Sequence, residues 1–282
     1  MKFARLALAG TAACFCAPWT AHAQTSTADD RIAVSADGAT LKGPGSSATS
    51  RGGGGSLTWL HNFDADSLLG AAGEYQALAA AHWAFGSVNA SKTLGPADQR
   101  YTLYGEAHEG RGNDGKNDFN YSIEAIGVAG TYFHRLSAQI EDKQINVQST
   151  HGNLPKVGLS YLWSPHFQTQ ASYSYSVSGN VGTHLTTARI DGYSAALNWF
   201  VGVAFGQASA AILLPVSSAA LGVHPGSIPA RQLHEGYVGV SKPLRNRSEL
   251  TLIADYQNLA GTKHATLTLN YIFHVGHTGT VR

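Results

Sequence analysis

Cysteine is almost missing from this chain: Cys14 and Cys16 are the only two in 282 residues. Both lie in a stretch with the marks of a secretory signal. Lys2 and Arg5 give a positive start, Leu6 to Pro18 is mostly apolar, and Ala21-His22-Ala23 forms a small-residue cleavage site before Gln24. Thr11-Ala12-Ala13-Cys14 lacks the leading Leu of a lipobox, so ordinary cleavage is the expected processing. A mature chain without thiols cannot be a disulfide scaffold, a thiol enzyme or a Cys-ligated zinc protein. Lys2 and Arg5 leave with the signal, which moves the formal charge from +1 to −1. No basic field remains to hold nucleic acid.

Charge is scarce as well. Asp, Glu, Lys and Arg make up 13% of the residues, about half the ~25% usual in soluble domains. Long apolar runs are scarce too, and no mature segment offers the ~18 consecutive apolar residues of a membrane helix. Low charge with neutral mean hydropathy fits a transmembrane β-barrel, which hides its apolar face by alternation.

What the sequence does contain is a period of two. In Phe167–Val177, residues Thr169, Ala171, Tyr173, Tyr175 and Val177 fall on one face. Gln168, Gln170, Ser172, Ser174 and Ser176 fall on the other, giving one apolar wall and one wet wall. Val157, Leu159, Tyr161 and Trp163 share a face in the segment before it. Similar stretches lie near 56–64, 77–90, 99–109, 119–130, 134–147, 155–164, 167–179, 189–200, 202–214, 232–242, 248–258 and 264–274. They number about twelve, most near the ~9–11 residues of a tilted membrane strand. The expected fold is all-β, a transmembrane antiparallel up-and-down barrel.

Four segments follow: a signal peptide at 1–23, a flexible periplasmic arm at 24–55, a barrel at 56–274 and a tail at 275–282. The arm is rich in Ser, Thr, Ala and Gly and ends in the run Gly52 to Gly55. Within it, Gly43-Pro44-Gly45-Ser46-Ser47-Ala48 imitates a dinucleotide fingerprint but lacks the strand and helix that motif needs. Joins alternate between short ones, such as Ser164-Pro165-His166 and a tight join at Phe200-Val201-Gly202, and longer polar ones such as 109–118, 179–187 and 215–231. That asymmetry suits short periplasmic turns and long extracellular loops. Trp163, Phe167, Trp199, Phe205 and Phe273 are expected at the periplasmic rim, with Tyr175, Tyr193 and Tyr256 toward the other.

The final strand is the most specific piece. Leu267, Leu269, Tyr271 and Phe273 alternate toward an aromatic end. They resemble the C-terminal signal by which Gram-negative outer-membrane barrels are recognised by their assembly machinery, although His274 to Arg282 follow. The chain loosely resembles the YaiO-like barrels, some of which accompany surface-polysaccharide systems. The resemblance implies an outer-membrane location, lipid contacts, and a polysaccharide or secretion partner.

On this register Glu106, His108, Glu124, Gln139, Glu141, Ser172, Ser174 and Asp255 are the expected lumen-lining residues. Charged groups avoid the lipid face, where they cost a few kcal/mol near the midplane. Such side chains would either fill a narrow lumen with paired hydrogen bonds and ion pairs, or form an acidic lining that favours cations and neutral polar solutes. The function expected is a passive pore or export-accessory channel for polar solutes or surface polysaccharide. The alternative is a closed barrel that docks a glycan or secretion partner through loops such as 215–231, with Val216, Leu221, Val223 and Ile228. No catalytic residue is expected: Gly-x-Ser-x-Gly is absent, and Tyr104, Glu106 and His108 on one strand face are weak grounds for acid–base chemistry. No cofactor or metal is expected either, since His274 and His277 lack a third ligand.

Overall fold

The structure is a computed structural model. It describes residues 29–275 apart from 79–80, 97–98, 114–116, 133–134, 148–149, 180–183, 209–230 and 245–247. The signal peptide, the tail from residue 276 and most of the 215–231 loop lie outside the described residues.

Sixteen strands make one antiparallel sheet: β1 Asp29–Lys42, β2 Ser50–Asn62, β3 Ser67–Leu78, β4 Ala81–Leu94, β5 Tyr101–Asn113, β6 Asp118–Tyr132, β7 Leu136–Val147, β8 Thr150–Asn153, β9 Lys156–Ser164, β10 Phe167–Tyr175, β11 Ser178–Gly179, β12 His184–Gly192, β13 Asn198–Ala208, β14 Arg231–Pro243, β15 Glu249–Leu259 and β16 Thr262–His274. Fourteen of them close a barrel, with β8 and β11 outside the ring. The seams are β1 on β16, from Arg31 opposite His274 to Lys42 opposite Lys263, and β7 on β9, from Leu136 opposite Tyr161 to Glu141 opposite Lys156. Closure leaves no unpaired edge, as a chain in lipid requires.

The barrel therefore has fourteen strands where about twelve were expected, and the two additions have identifiable causes. β1 lies within the stretch read as a flexible arm. Beyond Val34 its outward residues Ala36 and Gly38 are too small to continue an apolar face, yet it pairs along nearly its whole length on both sides. The glycine run belongs to β2, where a Cβ on Gly54 would strike the Tyr75 backbone and one on Gly55 would sit 2.8 Å from the Ser35 carbonyl oxygen. Gly43 to Ala48, the false fingerprint, lie in the β1–β2 connection. The other addition comes from 77–90, which holds the end of β3 and most of β4.

A third correction concerns 189–200. The chain turns at 193–197, and residues 200–202 lie inside β13. No Gly or Pro marks this turn; Ser194 makes it, its Oγ donating to the Leu197 carbonyl (2.6 Å) and accepting from the Leu197 amide (2.9 Å). Tyr193 consequently sits at the rim holding the chain termini, and Phe205 is carried toward the opposite end, the reverse of the expected placement. At another turn on the terminal rim, the Ser67 hydroxyl donates to Asp64 (2.9 Å) and holds its carboxyl below the usual carboxylate range.

β8 and β11 extend neighbouring strands. Gln144 opposite Asn153 continues the register set by Glu141 opposite Lys156, with only Leu154-Pro155 between β8 and β9. Pro155 has no amide hydrogen to give the ladder, so the strand is interrupted there while its alignment persists.

The outer face is the apolar one. Leu57, Val128, Ile140, Leu159, Val203, Leu252 and Leu269 all point away from the barrel and are exposed. Trp59, Tyr101, Trp163, Trp199 and Tyr271 ring the terminal rim, while Tyr75, Tyr175, Phe205 and Tyr256 lie toward the far one. Amphipathic rings favour the headgroup level, so this belt fits a bilayer.

Candidate functional site

Every second side chain of the fourteen strands enters the barrel, and these inward residues form three layers. At the end far from the termini they are apolar. Leu41, Leu78, Trp83, Phe85, Phe119, Tyr121, Ile123, Ile145, Leu233 and Leu259 are buried in one cluster. Glycines make room for the rings: a Cβ at Gly110 would lie 2.5 Å from the Tyr121 ring and 2.6 Å from Phe85. These residues are legible as apolar but not as luminal, because a sequence reading assigns the inside of a membrane barrel to polar side chains.

The middle layer is ionic. Tyr104 donates to Glu141 Oε2 (2.9 Å), and Gln139 Nε2 donates to the same oxygen (3.3 Å). Lys143 lies 3.7 Å from Glu106 and 3.6 Å from Glu141, whose other oxygen is 3.6 Å from Lys156. On β12, Arg189 Nε donates to Asp191 (2.7 Å), Gln170 donates to its second oxygen (3.0 Å), and the guanidinium sits 4.1 Å over the Phe200 ring. Buried ions at such distances hold one another, which is the condition for keeping them out of water. On the opposite wall Gln76 donates to both Asp37 (3.2 Å) and Glu74 (2.7 Å), and Gln257 donates to Glu235 (3.3 Å). Nearest the termini the layer is hydroxylic, with cross-strand pairs such as Thr93 with Thr102 (2.9 Å) and Thr131 with Ser137 (3.1 Å).

The expected lining residues separate into three groups. Glu106, His108, Gln139 and Glu141 face inward and are brought together on β5 and β7. Ser172, Ser174 and Asp255 also face inward but stand apart, Ser172 bonded to Thr187 (2.7 Å), Ser174 opposite Lys156, and Asp255 on the far wall opposite Tyr237. Glu124 is on the outside. The inward residues of β6 are Phe119, Tyr121, Ile123 and Ala125, and Glu124 is exposed between them on the other face. Two forms of lining were expected, a paired network or an acidic wall. On the β5–β12 wall Lys143, Lys156 and Arg189 balance Glu106, Glu141 and Asp191. Lys143 shares its parity with Gln139 and Glu141 on β7, so period two alone could have found it.

His108 Nε2 is 3.6 Å from Glu106, beyond hydrogen-bond reach. Among the described residues no group of three or more His, Asp or Glu is arranged to hold a metal ion.

A closed antiparallel barrel with an apolar outer belt and a lined interior is the class these observations define. Within that class the chain is similar in fold to CymD, a monoaromatic hydrocarbon channel, with 8% identity over 88% of each chain and a TM-score of 0.58. It is similar as well to a FadL homologue of Pseudomonas aeruginosa, with 7% identity over 87% of this chain and 90% of the other and a TM-score of 0.53. The toluene transporter TodX of Pseudomonas putida gives 9% identity, coverage of 87% and 88%, and a TM-score of 0.50. At such identities the likeness is one of fold. No family model matches the sequence, and no curated protein matches it.

Proposed function

We propose that this chain is a passive channel in the outer membrane of a Gram-negative bacterium, carrying small solutes that combine an apolar, preferably aromatic, body with a polar group. The layered interior is the observation that carries this reading. A solute entering from the far end would meet the rings of Trp83, Phe85, Phe119 and Tyr121 first and the balanced charges of β5, β7, β9 and β12 next. Aromatic and apolar walls suit the body of such a molecule, and a few placed polar groups orient its head. The similarly folded channels carry monoaromatic hydrocarbons in two cases, which agrees with the apolar first layer. Surface-polysaccharide export, implied by the YaiO-like resemblance, has no specific observation behind it in the structure. The secretory signal and assembly through the last strand are parts of the same proposal.

A closed barrel that docks a partner is the second reading, favoured by the near-complete burial of Leu78, Ile145, Leu233 and Leu259. Planar-bilayer recording separates the two. The channel reading expects small single-channel steps, reversible block of the ion current by a neutral aromatic alcohol, and larger steps in Phe85→Ala. Repeated insertion without steps in either protein would leave only the closed barrel.

A further inference from the structure

The outer surface at the far end is not uniform in charge. Lys42 ends β1 and Lys263 lies near the start of β16, and the two are direct cross-strand partners. Both are exposed and outward, because their neighbours Leu41, Thr262 and His264 are the buried, inward residues. Arg51 on β2 is also exposed and outward; it stands opposite Thr40, diagonal to Lys42. None of the three forms an ion pair or side-chain hydrogen bond among the described residues. Like charges directly opposite on one sheet face are destabilising, so this arrangement suits an external anion.

Height identifies the anion. Lys263 is eight residues above Tyr271 of the terminal aromatic rim, roughly 27 Å along a strand rising ~3.4 Å per residue. A tilt of ~35–45° brings that to about 20 Å along the barrel axis, against an apolar band of ~25 Å. The backbone there lies about 5 Å below the upper edge of the lipid belt, within the reach of Lys and Arg side chains that extend to the headgroups. Beneath them the outward positions of β1 and β2 are Gly38, Ala36, Gly53 and Gly55, a shallow strip bordered by exposed Tyr75 on β3 and Leu267 on β16. A Cβ placed on Gly38 would meet nothing within 4 Å.

We infer that Lys42, Arg51 and Lys263 bind the phosphates of a lipid in the leaflet around the far end, with its acyl chains lying on the small-residue strip. Two or three cations around one phosphorylated headgroup supply charge-assisted bonds, Arg51 in a fork and the lysines as point charges. In the outer membrane, lipid A is the phosphorylated lipid of that leaflet, and the inference rests on the membrane placement proposed above.

Native mass spectrometry of the full chain, released from micelles doped with a defined lipid, tests this. The wild-type protein should retain bisphosphorylated lipid A, less of the monophosphorylated form, and no phosphatidylcholine. The variant Lys42→Gln/Arg51→Gln/Lys263→Gln should retain at least tenfold less lipid A, whereas Lys242→Gln at the opposite rim should match wild type. Equal retention of all three lipids by the wild-type protein would overturn the inference, whether or not the triple variant assembles. So would undiminished retention by a folded triple variant. Heat-modifiable migration on gels is read in parallel: its absence in the wild-type protein would refute the membrane barrel itself, a separate failure.

Discussion

Strand β6 changes character along its length, and the two halves follow opposite rules. Toward the termini its outward residues are Ile126, 71% exposed, and Val128. Toward the far end the outward residues are Asn120, Ser122 and Glu124, while Phe119, Tyr121 and Ile123 turn inward and are buried. Neighbouring β7 does the same, with Ile140 outside below and Asp142, Gln144 and Asn146 outside above. The alternation never slips; its sign reverses. The lower half of these two strands is apolar outside, as a lipid-facing wall is, whereas their upper half is polar outside over an apolar core, as in a soluble barrel. The hydrophobic pattern therefore reports which solvent surrounds each height of the wall.

The largest expected effect tests the middle layer, where the two regimes meet. Glu141→Leu removes the counter-charge of Lys143 and Lys156 and the acceptor of Tyr104 and Gln139. Stranding buried charges in this way costs about 3–5 kcal/mol. The loss should appear as a lower urea midpoint for the heat-modifiable band, and adding Lys143→Met and Lys156→Met should recover much of it. A midpoint unchanged by Glu141→Leu would show that the network is solvated instead of packed.

A matched pair on one face of β6 tests the reversal itself. Val128→Lys puts a cation against lipid two residues above the level of Tyr101 and should cost about 1–3 kcal/mol, less than the ~2–4 kcal/mol of a midplane site. Glu124→Lys, four residues higher on the same face, should stay within about 0.5 kcal/mol, as an exposed surface change does. Equal costs in refolding titrations would mean that the lipid boundary does not fall between them. Neither substitution at Glu124 nor its wild-type charge should alter single-channel conductance, because the side chain is outside the lumen.

The reversal also explains what could be read in the sequence and what could not. β9, β10 and β16 stay within the lipid belt for most of their length, so Val157 to Trp163, Thr169 to Val177 and Leu267 to Phe273 showed their faces plainly. β6 carries apolar residues on both faces at different heights, and period two alone cannot say which is inside; Glu124 was misplaced for that reason. β1 was hidden because Ala36 and Gly38 interrupt its outward apolar face beyond Val34, and the β12–β13 turn because the Ser194 hydroxyl closes it without a Gly or Pro within 193–197. The ionic cluster was half legible. Glu106, His108, Gln139 and Glu141 share parity with Lys143, but the contact of Glu141 with Lys156 depends on β7 and β9 becoming neighbours. The apolar collar was missed because the expectation of a polar interior was applied at every height.

The β1–β16 seam bears on how the molecule comes into being. Every other neighbouring pair in the ring is linked through a nearby connection, so hairpins can form in sequence order as each strand appears. The seam alone joins the two ends of the chain, setting Arg31 beside His274 and Lys42 beside Lys263. Its loop-closure entropy is not recovered until nearly the whole sheet exists. The ring must shut last, and an open sheet with two waiting edges precedes it. A chain that lacked β1 would keep most of its hairpins and lose only the power to become a closed object.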